Sequence, residues 1–537
     1  MTATDPTVVY FSMEYGLHTD LKLYSGGLGI LAGDYLKGAR DHDRPIIGIG
    51  IKWKQGYTDQ HIGDDDRPYD SYPVRDYDLV DTGVTVPVTI RERLVTVKVW
   101  MTERYGNAPI YLLDTDVDGN DPADRWICGQ LYGWFAEERL AQEMVLGIGG
   151  VRALRALGLD VDVYHFNEGH AVLAALELIE EHKSGGSSFE DAWSATRDQV
   201  VFTTHTPIIQ GNESHELRTM DYMGATRNLT LEQMERIGGN PFNMTVAALR
   251  LSRRANAVAE LHAETANDMW KHVAGRCEIV AITNCIHTPT WVDDRITAAV
   301  AAGAPIRPVH DRIKAELIDF IAGRTGTRFA QDKLLIGFSR RAAPYKRSDL
   351  LFSDLDRIGP YLERGDIQIV FSGKAHPLDD TGKDIVSQII AMTRAFPSAV
   401  AFLQDYDMEI GKMLTRGSDV WLNNPRRPQE ASGTSGMKAA MNGVLNCSIL
   451  DGWWPEACQD GINGWQIGDG YESDDLTELD AHDAAALYEV LLDRVLPTYY
   501  DDPNRWEQMM RASVESVSER FVVARMLDDY YELLYRT

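Results

Sequence analysis

The sequence predicts an α/β protein built on parallel sheets and divided into more than one domain. Short apolar runs rich in Val, Ile and Leu alternate with longer stretches of helical periodicity, which is the pattern of strand–helix–strand units. The chain has 537 residues, too many for one compact core, so two or three domains are expected. Most glycine-rich and histidine-bearing turns follow strand-like runs, where open parallel sheets carry their ligand loops.

The elements follow in order. Val8-Val-Tyr-Phe-Ser12 reads as the first strand. Ser25-Gly-Gly-Leu-Gly29 then precedes a helical stretch over residues 30–40, and 46–51 is a second strand. Residues 84–101 look like a hairpin pair inserted into the series. A long helix is expected over 136–157, stopped by Gly158. Residues 161–166 form a strand running into a loop and the helix 170–183, and Ser184-Gly-Gly-Ser-Ser188 is a flexible connection. Residues 200–204 are a strand followed by a Pro-containing loop. A second α/β series begins with the strand 334–339 and continues through strands at 367–372, 420–422 and 444–450. The boundary between the series is expected in the irregular stretch 284–329, and residues 505–537 are helix-rich. No internal repeat is visible.

Composition excludes several partners. A formal net charge of −28 repels nucleic acid and anionic membrane surfaces. A neutral polyhydroxylated substrate is compatible with that field, whereas an anionic one needs a local basic pocket. No segment approaches the ~20 apolar residues that span a bilayer. Met1 to Thr7 lacks a basic region followed by an apolar stretch, so no signal peptide is expected and the protein is read as cytoplasmic. The five cysteines (Cys128, Cys277, Cys285, Cys447 and Cys458) are scattered without metal-ligand spacing, so reduced thiols and no metal are expected.

The most informative stretch is Glu430-Ala-Ser-Gly-Thr-Ser-Gly-Met-Lys438, ahead of a buried strand. Ser432 to Gly436 are small residues whose backbone N–H groups can converge on an anion, and a helix N-terminus behind them adds partial positive charge. Lys438 sits about one turn into that helix. A phosphate cradle beside a positioned lysine suits a phosphorylated cofactor held by its amine. A second glycine turn, Ser25 to Gly29, offers another such approach. Ser339-Arg-Arg-Ala-Ala-Pro-Tyr-Lys-Arg347 gathers four cations at a strand end in an acidic chain, enough to clamp a dianion. Asn167-Glu-Gly-His170 and Thr204-His-Thr-Pro207 bring histidines to two further strand ends.

These motifs, in this order, resemble the α-glucan phosphorylases (the glycogen, starch and maltodextrin phosphorylase family), and a short bacterial branch in particular. The resemblance implies the GT-B arrangement: two Rossmann-like lobes facing a deep cleft, with a C-terminal helix crossing back. It implies an N-terminal glucan-side lobe over 1–300, a lobe for cofactor and phosphate over 301–505, and helices 506–537 returning to the first lobe. It implies retaining, reversible phosphorolysis of an α-1,4-glucan or maltodextrin by inorganic phosphate to α-D-glucose 1-phosphate, with pyridoxal 5′-phosphate on Lys438. Arg341 and Lys346 would hold phosphate with Thr434 nearby. Gly26 and Gly27 would contact the cofactor and substrate phosphates, with Leu28 on the substrate side. His205 and Asn284 would meet the glucose 6-hydroxyl, Glu430, Ser432 and Gly433 its 3-hydroxyl, and His170 would line the substrate side. Tyr406, Ser435 and Trp291 would flank the cofactor.

The chain departs from the pattern in places. Asp407 stands where some members carry arginine, Cys285 where many have glycine, and the Glu14-Tyr-Gly16 segment lacks a tyrosine of the larger members. Regions that carry regulation in the larger enzymes are missing, so none is expected; a homo-oligomer is compatible with the resemblance. Three other readings compete. A nucleotide-sugar transferase of the same fold would favour glutamate at position 438. An inactive glucan-binding protein would favour loss of Lys438, Arg341 or Lys346. A relative acting on a small acceptor is kept open by the short chain and Cys285. Paired-carboxylate glycosidase chemistry would draw on Glu168, Glu213 or Glu430.

Overall fold

The computed structural model describes residues 5–536. Residues 1–4, on which the reading of the N-terminus partly rests, lie outside them. The chain divides into two compact units. Unit 1 comprises Met1–Tyr57, Tyr72–Thr283 and Val523–Thr537; unit 2 comprises Thr58–Ser71 and Asn284–Val522. The passage between them therefore falls at 283/284 rather than at 300. Of the expected returning helices 506–537, only Val523–Thr537 belongs to unit 1. In that unit Gly38 lies against Val523 without room for a side chain, and the Tyr535 hydroxyl meets Tyr35 at 2.6 Å and His165 at 2.7 Å.

Unit 1 is built on a nine-stranded sheet. Its parallel strands, numbered along the chain from Val8–Phe11, lie in the order 3-2-1-4-5-6-7, ending at Glu278–Ala281. The sequence expected an inserted hairpin at 84–101. Instead Val80–Ile90 and Arg93–Thr102 continue this sheet as its antiparallel edge beyond Ile110–Asp114. The order reverses between Val8–Phe11 and Val163–Asn167, so the loops after these two strands share one switch point.

Unit 2 carries a six-stranded parallel sheet. From Leu334–Ser339 its strands lie in the order 3-2-1-4-5-6, with the switch between Leu334–Ser339 and Val420–Asn423. The strands Leu334–Ser339, Ile367–Ser372 and Val420–Asn423 are buried along their whole length and mostly apolar, as in doubly wound sheets covered on both faces. A hairpin from early in the chain, Asp59–Ile62 with Pro68–Ser71, also belongs here. The Gln60 amide exchanges hydrogen bonds with the Ala375 backbone (2.8 and 3.1 Å), and Lys383 reaches Asp70 at 2.7 Å. Among the described residues no helix is long and apolar enough to cross a membrane.

Candidate active site

The switch point of unit 2 gathers the cations. The loop after Leu334–Ser339 brings Arg340 and Lys346 to the loop after Val420–Asn423, which brings Glu430. The Arg340 guanidinium meets Glu430 Oε2 at 2.6 Å and the Lys346 ammonium donates to the same oxygen; all three side chains are buried. Burial opposes ionisation of Glu430, but Arg340, Lys346 and Arg341 outweigh it and hold its pKa below the ordinary carboxylate value. Glu430 Oε1 makes no hydrogen bond among the described residues and remains an acceptor.

Three buried donors around this centre have no partner among the described residues: Arg340 Nη1, Ser339 Oγ and Ser432 Oγ. Orphaned buried polar atoms are costly and rare in folded proteins. Their concentration around two cations fits an oxyanion ligand.

The sequence put Arg341 here. Arg341 is exposed, and its charge still acts on Glu430 and His376. The buried cation is Arg340, which the sequence reading passed over. Arg347 clasps the two loops together. It donates to the carbonyls of Asn424 (2.9 Å) and Pro425 (2.8 Å) and pairs with Asp483 (2.7 Å) and Asp480 (2.9 Å).

Behind Glu430, Gly433 takes a left-handed conformation (φ 86°) that favours glycine. The helix Thr434–Met441 starts there, and Lys438 is four residues into it. The Lys438 amine is buried 3.5 Å from the centroid of the Trp291 ring, so the structure brings these two together. Ser435 Oγ is taken by Trp421 Nε1 at 3.2 Å. Tyr406 packs on the same core, and burial followed by Asp407 pushes its hydroxyl up to about 12. Asp407, the departure from arginine, caps the Met408–Gly417 helix through the Ile410 N–H at 3.0 Å. Asn284 and Cys285 are buried at the start of unit 2.

Asp451 braces this loop. Its carboxylate accepts the Glu430 N–H (2.9 Å) and the Gly452 N–H (2.8 Å), while the Trp453 N–H donates to Ser432 O at 3.0 Å. Burial and the neighbouring Glu430 charge raise Asp451 to about 7. Both backbone donors need the ionised form, because protonation turns one acceptor oxygen into a donor. Activity should therefore rise as pH climbs through about 7, and Asp451→Asn should remove that limb. A pH–rate profile of the variant matching the parent would refute this.

Unit 1 has its own switch-point group. Asn167 Nδ2 donates to Ser12 Oγ across it at 3.0 Å, and Asn167 Oδ1 meets His205 Nε2 at 2.6 Å. Burial, then His262 and His170, lowers His205 to about 3, so its ring is neutral. Nε2 is then the protonated nitrogen, and Nδ1 is an acceptor. Glu168 holds the same loop: its carboxylate accepts the His205 N–H (2.5 Å), Thr206 Oγ1 (2.9 Å) and the Gly169 N–H (3.2 Å). Glu168 itself sits at φ 71°, ψ 173°, a backbone region that strongly favours glycine. Such strain is retained where the surrounding contacts impose it, and no sequence signal marks it. His170 Nδ1 is buried without a partner among the described residues.

At the glycine turn, the N–H groups of Ser25 (2.7 Å) and Gly26 (3.2 Å) point to Glu14 Oε2, and Ser25 Oγ to Oε1 at 2.8 Å. The anion held by these two amides is the chain's own carboxylate, which Tyr132 also contacts. A Cβ on Gly26 or Gly27 would meet open space. The first-turn N–H groups of Gly27 and Leu28 are those left for a ligand.

Comparison with known proteins bears on this geometry. The family model described as carbohydrate phosphorylase matches residues 300–489, which span the unit 2 switch point. The maltodextrin phosphorylase of Thermococcus litoralis is 35% identical over 98% of this chain and 70% of its own length. The chain belongs to the α-glucan phosphorylase family. The glycogen phosphorylase of Aquifex aeolicus is 34% identical over 98% of this chain and 86% of its own. An uncharacterised protein of Methanocaldococcus jannaschii, 38% identical, matches over 98% of this chain and 99% of its own. As a member of this family the chain is an enzyme of the glycosyltransferase type, and the parallel α/β architecture agrees with that membership.

Proposed function

We propose that the chain catalyses reversible phosphorolysis of an α-1,4-glucan or maltodextrin, with retention, releasing α-D-glucose 1-phosphate from the non-reducing end. One observation carries the reading: the buried Arg340–Glu430–Lys346 centre, ringed by unpaired donors, one helical turn ahead of Lys438.

An incoming phosphate dianion is repelled by Glu430. At 4 Å one such charge pair is worth about 4 kcal/mol at the effective dielectric near a protein surface. Arg340, Lys346 and the nearby Arg341 supply opposing charge, already oriented. Ser339 Oγ, Ser432 Oγ and Arg340 Nη1 add donors that are paired only when an oxyanion is present. Glu430 Oε1 accepts a glucose hydroxyl, since both cations bind the other oxygen. In unit 1, neutral His205, held by Asn167 and Glu168, keeps Nδ1 as an acceptor suited to a sugar hydroxyl.

The residues also fit pyridoxal 5′-phosphate: a buried amine on Lys438 with the Trp291 indole beneath it, and the Gly433–Thr434 helix start for its phosphate. Bound there, the cofactor supplies a second phosphate that can exchange a proton with the substrate's.

The test is an absorbance spectrum before and after borohydride reduction, with Lys438→Ala as control, together with glucose 1-phosphate release from maltodextrin and phosphate. A reducible band lost in the variant and phosphate-dependent release are expected. A protein that never takes up the cofactor, or that turns over a nucleotide sugar instead, would sink the reading.

A further inference from the structure

Unit 1 carries a groove of about 430 Å³ that the reaction does not use. It lies between the helices Phe189–Gln199, Leu231–Gly238 and Met244–Leu251, and Trp193, Arg197, Arg236, Arg250 and Glu190 line it. Three guanidinium groups in one groove stand out in a chain with 53 basic and 81 acidic residues.

Their hydrogen bonds show what is left over. Arg236 forks onto Glu190 at 2.7 and 3.1 Å. Arg250 donates through Nε to Ala274 O (3.0 Å) and through Nη1 to Arg236 O (3.0 Å) and Ile237 O (3.2 Å), capping the end of the second helix. Arg197 donates through Nε to Ser252 O at 3.1 Å. Among the described residues neither Arg197 nor Arg250 pairs with a carboxylate. Both terminal nitrogens of Arg197 and Nη2 of Arg250 make no hydrogen bond among the described residues. Carbonyls take one nitrogen of Arg197 and two of Arg250, so the remaining terminal donors exceed the structural requirement.

The groove also has a fixed aromatic wall. Trp193 Nε1 donates to Arg250 O at 3.2 Å, which holds the indole, and the Arg236 guanidinium stands 5.7 Å from that ring. Gly275, at φ 76° with open space where a Cβ would sit, leaves one end unobstructed. The volume lies in the range of small-molecule sites. Forked donors match phosphate oxygens, and an indole face matches a sugar or base ring.

We propose that this groove binds an organic phosphate monoester, its dianion on Arg197 and Arg250 and its body against Trp193. The inference is independent of the proposed reaction and of its cofactor. It is tested on the full chain with glucose 6-phosphate and uridine 5′-monophosphate as probes and glucose as the uncharged control. Arginine modification by phenylglyoxal, mapped by mass spectrometry, reads the site directly.

Either phosphate should protect Arg197 and Arg250 and alter Trp193 fluorescence; glucose should do neither. Which probe protects better separates a sugar phosphate from a nucleotide. Arg197→Gln, which removes only one carbonyl bond, should weaken binding about ten- to a hundredfold. Arg197→Lys should recover part of it. Protection that falls on Arg340 instead, or affinity unchanged in a folded Arg197→Gln protein, would overturn the proposal.

Discussion

Arg340→Ala should lower kcat/KM for phosphate by about 10²–10³, the size seen when one preorganised donor to developing charge is lost. The reason is specific to this centre. Glu430 is buried, and its ionisation is carried by neighbouring cations against the cost of burial. Removing Arg340 leaves one buried cation, Lys346, on the carboxylate and deletes the unpaired Nη1 donor as well. The Glu430 pKa should then rise back toward the ordinary carboxylate range.

The linked stability has a definite sign. A depressed folded-state carboxylate stabilises the protein above its unfolded pKa, about 4.3 for Glu, and that contribution is lost as pH falls through the folded value. The variant should lose acid tolerance less steeply, because less of that contribution remains. Arg341→Ala is the control. Being exposed, Arg341 should act mainly on KM for phosphate, with kcat within a few-fold. Steady-state kinetics against phosphate between pH 5 and 8 separate the two; equal effects from both substitutions would refute the assignment of the buried role to Arg340.

That assignment also marks where the sequence was legible. Apolar periodicity located the strands 334–339 and 367–372 to the residue, since buried parallel strands are mostly apolar along their length. The basic run after 334–339 and the glycine turn before Lys438 were found because one concentrates cations at a strand end and the other concentrates small residues ahead of a helix. Choosing among adjacent arginines was another matter. Arg340 and Arg341 differ only in which side of an irregular loop they leave, and no periodicity reads a loop. Resemblance pointed to Arg341; the geometry puts Arg340 inside.

The loop-bracing roles of Glu168, named only as a candidate glycosidase acid, and of Asp451 were missed for a related reason. Both act through backbone N–H groups of a different loop, and such contacts leave no spacing signature. The hairpin 59–71 was invisible as part of unit 2, because Gln60 and Asp70 bind partners more than three hundred residues away in sequence. The hairpin at 84–101 was seen but read as an insertion. Its sheet membership depends on pairing with Ile110–Asp114, which alternation alone does not specify.

The largest stability effect should come from the opposite end of the unit 2 strands. Lys314 is 1% exposed, and its ammonium meets Asp419 at 2.6 Å, Lys333 O at 2.6 Å and the Tyr499 hydroxyl at 3.0 Å. Asp419 in turn accepts the Leu335 N–H at 2.8 Å, and its own N–H donates to Leu335 O at 2.8 Å. The pair therefore fixes Leu334–Ser339 against Val420–Asn423, the two strands that flank the switch point. Lys314→Met removes one charge and strands the other in the core, which costs about 3–5 kcal/mol. For a unit of this size that corresponds to a melting shift of roughly 2–4 °C per kcal/mol. Replacing Asp419 as well, by Leu, should recover only part of the loss, because the Leu335 N–H then lacks its side-chain acceptor. The catalytic loops lie at the other strand ends, so kcat measured well below the melting point should stay near the parent's. Calorimetry of the single and double variants is the measurement. A single variant that melts with the parent would mean the buried ammonium contributes nothing, and a large fall in kcat at low temperature would mean that this end of the strands does not act on stability alone.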